Sequence, residues 1–165
     1  MNIYLEMSAN EIIPNLFLGD ITSSKNRNFF DSVNIGMVVN CSKTIPFLEG
    51  KNFIKVRVPI DDNLQDREID NLAKWGPNII RKIWDEYRKG TTILVHCHAG
   101  MQRSAAVVAM FLMFYQRCTH REAMARIKKR RPIVFEPGAN FYKAILSFEN
   151  KLSEALKRTM DTPHS

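Results

Sequence analysis

The chain has 165 residues, of which 45% are apolar and 25% charged, and its formal net charge is +7. That length suits one domain with one sizeable core and is short for two. No apolar run approaches the roughly 20 residues of a membrane-spanning helix, the N-terminus lacks the regions of a secretory signal, and three cysteines are too few for a disulfide framework. The expectation is a reduced intracellular protein, cytoplasmic or nuclear, without membrane insertion, whose basic charge favours anionic partners.

Residues 1–11 carry no strong signal. Leu16, Phe17 and Leu18 before Gly19 read as a short strand ending in a turn, and Ser23 or Ser24 is placed to cap a brief helix through Phe30. Residues 36–40 (GMVVN) form a buried strand, and residues 41–50 a loop with Pro46. Residues 53–58 alternate Phe53, Lys55 and Arg57 against Ile54, Val56 and Val58, a strand with one wetter face that Pro59 stops. Residues 60–67 make a polar, acid-rich loop. Ile69, Leu72, Gly76, Ile79, Ile80, Ile83 and Tyr87 then recur at helical spacing, with Gly76-Pro77 expected to kink or divide the helix and Gly90 to stop it.

Residues 91–95 form the next strand, and a helix opened by Ser104 and apolar nearly all round follows it. Thr119 and Glu122 have capping-box spacing for a helix ending at Arg131 before Pro132. Phe141, Ile145, Phe148, Leu152 and Leu156 make a stripe on a final helix. One domain is expected over residues 1–158, with a frayed, disordered tail over residues 159–165. Strands alternating with helices imply an α/β fold with a central, mostly parallel twisted sheet of four to five strands. Its ligand site lies beyond the carboxyl ends of the strands, where Cys41, Asp62 and Cys97 fall.

The chemistry concentrates in residues 93–104 (ILVHCHAGMQRS), where five residues separate Cys97 from Arg103. A strand delivers the thiol to a tight loop at a helix N-terminus, where unpaired N–H groups and the helix dipole favour an anion, either thiolate or phosphate. A thiolate is a nucleophile at neutral pH. Arg103 offers a planar fork for phosphoryl oxygens that Lys does not reproduce. The N–H groups from His98 through Ala99, Gly100, Met101 and Gln102 to Arg103 can form a nest, and Gly100 permits the positive φ of a curled loop. A leaving alkoxide needs a proton, for which Asp61, Asp62 and Asp66 stand nearby.

His96-Cys97-His98-Ala99-Gly100-Met101-Gln102-Arg103-Ser104 resembles the His-Cys-five-residue-Arg-Ser/Thr motif of the protein tyrosine phosphatase superfamily, and specifically its compact dual-specificity branch. The resemblance runs along most of the chain, through Leu16 to Gly19, Val39-Asn40-Cys41-Ser42, Val58-Pro59-Ile60-Asp61-Asp62, residues 109–113, and Phe148-Glu149 with Leu152. It implies that Cys97 forms a phosphocysteine, Arg103 binds the phosphate and Ser104 helps the sulfur leave. The family's acid stands three residues after the Pro, which selects Asp62, with Asp61 the nearest competitor. His96 would buttress the loop and favour the thiolate, Asn40 would hold the loop from the neighbouring strand, and neither would touch substrate. The resemblance implies phosphorylated proteins as substrates, on tyrosine and on serine or threonine, with no cofactor. Removal of phosphate from RNA 5′ ends is the alternative, and a phosphate-binding module without activity stands third. Oligomeric state is left open.

Gly138 precedes Asn140 here, whereas the family often has Asn before Gly ahead of its last helix. The short loop over residues 42–50 lacks the aromatic recognition motif of the larger tyrosine-specific enzymes, which implies a shallower cleft. His96, Cys97 and His98 do not suggest a metal, because strand neighbours face opposite ways and no second Cys/His pair has zinc-site spacing. Cys41 reads as a packed core thiol, or else as a partner of Cys97 under oxidation. Lys128-Lys129-Arg130-Arg131 reads as a solvated helix end, with docking of an acidic protein or RNA as the sharper reading. Asp66, Arg67 and Glu68 read as an exposed helix start, and Met110, Met113 and Met124 as core. Selectivity is expected in the rim, from residues 42–50, His98, Met101, Gln102 and the basic residues beyond.

Overall fold

A computed structural model of the chain describes residues 8–161. The first two strands, β1 (Ala9–Ile13) and β2 (Leu16–Gly19), form an antiparallel hairpin. Asn15 turns it at φ 69°, a left-handed conformation that Asn enters more readily than most residues. Two short helices follow, α1 (Ile21–Ser24) and α2 (Arg27–Val33). Their caps are not the serines expected from sequence. Asp20 accepts the Ser23 N–H at 3.0 Å and Asn26 accepts the Phe29 N–H at 3.0 Å, while the Ser23 and Ser24 hydroxyls bond back to the carbonyls of Asp20 and Ile21.

The remaining elements are β3 (Ile35–Asn40), β4 (Ile54–Arg57), α3 (Asp66–Tyr87), β5 (Thr92–His96), α4 (Arg103–Gln116), α5 (His120–Arg130) and α6 (Tyr142–Asp161). The five strands lie in the order β1-β2-β5-β3-β4, parallel except for the first pair. Central β5 is why Ile93, Leu94 and Val95 run without polar interruption: both faces of the strand are covered, and all three are fully buried. Leu16, Leu18, Met37, Val39, Ile93 and Val95 join the main core with α3, α4 and α6. Val38 and Leu94 point the other way, onto Phe29 and Phe30 of α2. Helix α4 is buried from Ser104 to Met113, as its all-round apolar sequence requires.

Gly76-Pro77 does not divide α3, which runs unbroken through Pro77. A proline in a helix leaves the carbonyl four residues back without its N–H partner. Here Lys151 of α6 supplies a donor instead, its Nζ lying 2.9 Å from the Ala73 oxygen. A Cβ at Gly76 would meet Met110 Sδ at 3.3 Å, so glycine lets α3 close on α4. Helix α5 begins with the expected capping box of Thr119 and Glu122. Helix α6 continues through Thr159 to Asp161, past the point where fraying is expected, and residues 162–165 of the expected tail lie outside the described residues.

Candidate active site

At the carboxyl end of β5 the chain turns through residues 97–102 before α4 begins. Gly100 makes the turn at φ +66°, and a Cβ there would lie 2.6 Å from the Gly19 oxygen, so both conformation and space demand glycine. Each carbonyl of the turn has a donor outside it. Protonated at Nδ1, His96 reaches the Cys97 oxygen at 3.4 Å; the Ile21 N–H reaches that of His98, the Phe135 N–H that of Met101 and the Ala106 N–H that of Gln102, each at 2.9 Å. Arg131 supplies the other two, with Nη2 on Ala99 and Nε on Gly100 at 3.1 and 2.9 Å. In a trans peptide the N–H points opposite to the C=O. Carbonyls tied outward therefore aim the following N–H groups into the cup, as an anion nest needs.

Cys97 lies at the floor of the cup, 2% exposed. Its sulfur accepts the Gly100 N–H at 3.3 Å and is 3.0 Å from the Ser104 hydroxyl. Arg103 donates from Nη1 to the Ile60 oxygen at 3.1 Å. Its Nε is buried with no hydrogen-bond partner among the described residues. A donor so placed is costly unless an acceptor arrives, and an oxyanion in the cup is such an acceptor. Burial pushes His96 down to about 4, so the imidazole beneath the loop is neutral and braces it by a hydrogen bond rather than by charge.

Asp61 and Asp62, adjacent in sequence, face different surroundings. Asp61 pairs with Lys43 Nζ at 3.0 Å, whereas Asp62 Oδ1 accepts from Asn140 Nδ2 at 2.8 Å and lines the cleft above Cys97 and Arg103. The cleft measures about 350 Å³ and is bounded also by His98, Ala99, Met101, Gln102 and Glu136. Asn140, in its unusual position after Gly138, is thus drawn to the Asp62 carboxyl. Its own N–H is held at 2.9 Å by Gln102 Oε1, while Gln102 Nε2 donates to the Glu136 and Gly138 oxygens at 3.2 and 2.8 Å. Gln102 is therefore buried against residues 136–140 rather than standing on the rim.

Burial and hydrogen bonding correct further expectations. Arg131 is not a solvated helix end but 1% exposed, and Lys128 donates to the Pro132 and Val134 oxygens and pairs with Glu136. Asn40 does not bond the cup: its side chain bonds the Ile45 oxygen at 2.8 Å and the Ser42 hydroxyl at 2.6 Å, shaping the loop after β3. Glu68 is buried rather than exposed. Cys41 follows Asn40, which pairs with His96 across β3 and β5; it is fully buried, and burial followed by the neighbouring Cys97 pushes its thiol up. Among the described residues no group of three or more His, Cys, Asp or Glu side chains is arranged to hold a metal ion, and no helix is long and apolar enough to cross a membrane.

This arrangement of buried thiol, anion cup and facing carboxyl is that of a cysteine phosphatase domain. Residues 16–151 match the family described as dual specificity phosphatase, catalytic domain, and the chain belongs to that family. Tyrosine-protein phosphatase vhp-1 of Caenorhabditis elegans is 31% identical over 145 residues, which cover 86% of this chain and 21% of the worm protein. Human dual specificity protein phosphatase 14 is 29% identical over 155 residues, 93% of this chain and 76% of its own length. The crystal structure of human DUSP28 shares the fold with a TM-score of 0.78 at 26% identity, covering 88% of this chain and 95% of that one.

Proposed function

We propose that the chain hydrolyses phosphate monoesters on tyrosine and on serine or threonine of phosphorylated proteins, through a phosphocysteine. The observation that carries this is Cys97 Sγ at the floor of a cup whose carbonyls are all tied outward, beside Arg103 and across from Asp62. The Cys97 thiolate attacks phosphorus in line, forming the S–P bond as the ester P–O bond breaks. Asp62 gives its proton to the departing oxygen. Arg103 Nε and the loop N–H groups hold the equatorial oxygens, whose charge persists through the transition state. Water then attacks phosphorus, Asp62 takes its proton, and the S–P bond breaks with the Ser104 hydroxyl donating to the sulfur.

Asp62 and Glu136 at the cleft against a single guanidinium suit one phosphoryl group better than the triphosphate end of an RNA. Comparing phosphate release from phosphopeptides and triphosphorylated RNA separates these substrates. Because the nucleophile must stay reduced, and Cys41, Cys97 and Cys118 are all unpaired, we assign the activity to a reducing, intracellular compartment. Burst kinetics with an aryl phosphate test the mechanism: wild type is expected to show a burst and Cys97→Ser none. Continued turnover by Cys97→Ser would refute the nucleophile.

A further inference from the structure

Beneath the acid loop lies a carboxylate to which the mechanism gives no part. Glu68, in the first turn of α3, is 1% exposed. A helix N-terminus favours an acidic side chain but does not require it to leave water, and a buried carboxylate is costly unless its charge and lone pairs are matched. Here they are. Lys43 Nζ donates to Oε1 at 2.7 Å and the Asp61 N–H donates to Oε2 at 3.0 Å. These two hydrogen bonds, the Lys43 one foremost, hold the Glu68 carboxyl below its ordinary range, and Glu68 followed by Asp61 holds the Lys43 ammonium above its own.

The contacts fall on successive residues of one short loop. The Ile60 oxygen accepts from Arg103. Asp61 is gripped twice, its N–H by Glu68 and its carboxylate by Lys43. Asp62 then meets Asn140 over the cleft. With Asp61 turned toward Lys43 and Glu68, Asp62 is the one of the two adjacent aspartates that lines the cleft with Cys97.

Resting on the reading of Asp62 as proton donor, we propose that Glu68, together with Lys43, is a positioning residue for that donation: the pair, its carboxylate buried and its ammonium reaching in from the surface, anchors Asp61 and so fixes where the Asp62 carboxyl stands over the phosphate cup. Glu68→Gln keeps the size of the side chain but cannot satisfy both partners, because its amide oxygen stands opposite one of the two donors and its NH2 group faces the other. The loop then shifts, and a misplacement on the order of 1 Å costs up to about 100-fold in rate.

A general acid matters in proportion to the basicity of the leaving group, so kcat/KM for two aryl phosphates reads Asp62 directly. Phenyl phosphate releases a phenolate as basic as that of tyrosine, with a pKa of about 10; dinitrophenyl phosphate releases one that needs little protonation. Asp62→Ala is expected to lower kcat/KM for phenyl phosphate by about 100-fold or more. Glu68→Gln and Lys43→Gln are expected to lower it by about 10-fold, to leave dinitrophenyl phosphate within about 2-fold, and to add nothing further in an Asp62→Ala background. Lys43→Arg, which keeps the cation, is expected to retain most of the phenyl phosphate rate. Equal losses on both substrates, or none, would overturn the proposal, and should Glu68→Gln not fold, Lys43→Gln decides by the same readout. If Asp62→Ala itself shows no selective loss, the reading of Asp62 falls first; if it does and the Lys43 and Glu68 variants do not, the positioning role alone falls.

Discussion

Replacing Arg131 with methionine keeps a long apolar stem but removes the guanidinium that binds Ala99, Gly100 and Asn10. Two carbonyls of the phosphate cup then lose their donors in a site closed to water, since Arg131 is 1% exposed. A hydrogen bond to a charged group contributes about 1.5–3 kcal/mol, so the two carbonyl bonds together amount to roughly 3–6 kcal/mol. Burial, which lowers the proton affinity of Arg131, offsets part of this, and a loss of about 3 kcal/mol is expected from a domain stable by about 5–15 kcal/mol. Urea unfolding of wild type, Arg131→Met and Arg131→Lys measures it. Lysine carries the charge but lacks the fork, so it should recover only part of the stability. In the folded fraction of Arg131→Met, kcat/KM should fall by about 10-fold or more, because carbonyls free to turn release the opposing N–H groups from the cup. A stability change under about 1 kcal/mol with unaltered kcat/KM would refute the view that Arg131 braces the cup.

Asp62→Asn should lower kcat by about 100-fold or more, whereas Asp61→Asn, which keeps the N–H that Glu68 accepts, should stay within about 10-fold; steady-state kinetics decide, and the reverse order would exchange their roles. Gly100→Ala is expected to lose nearly all activity, and titrating phosphate or vanadate should show weakened oxyanion binding, because the methyl group would press on the Gly19 oxygen at a φ of +66°. His96 makes stability depend on pH. Its folded value of about 4 lies below the ordinary 6.5, so between the two the unfolded chain binds a proton that the folded chain does not. Stability is therefore complete above the unfolded value and falls as pH drops through it, by roughly 2 kcal/mol from pH 7 to pH 5. Urea titrations at both pH values should show this slope, and His96→Gln should flatten it.

Residues 93–104 were legible because thiol, turn, arginine and helix start are contiguous, and contiguity is what local geometry can read. The placing of Asp62 at the cleft was expected from its distance past Pro59 in the family pattern rather than from its own chemistry. The strands β3 and β5 announce themselves by apolar runs, whereas in β1 Asn10 and Glu11 interrupt the run between Ala9 and Ile12. What stayed hidden depends on partners distant in sequence. Arg131 looks like one more cation in a basic run until it meets Ala99 and Gly100, more than 30 residues away. Gln102 looks like rim until residues 136–140 close over it, and nothing local distinguishes the buried Glu68 from its exposed neighbours Asp66 and Arg67. Gly76-Pro77 misleads for the same reason, since Lys151, which serves the carbonyl that Pro77 leaves unpaired, belongs to another helix.

The β1-β2 hairpin carries a consequence for where the working unit begins. The family match starts at Leu16, yet Asn10 holds Arg131, the Glu11 carbonyl accepts from Arg130 and the end of β2 presses Gly19 onto Gly100. A fragment cut at the family boundary would keep Cys97, Arg103 and Asp62 while losing the outer hairpin strand that steadies the cup from behind. The smallest unit that keeps the cup fully braced is therefore longer at its amino end than the stretch that family resemblance defines, and truncations should be drawn ahead of β1.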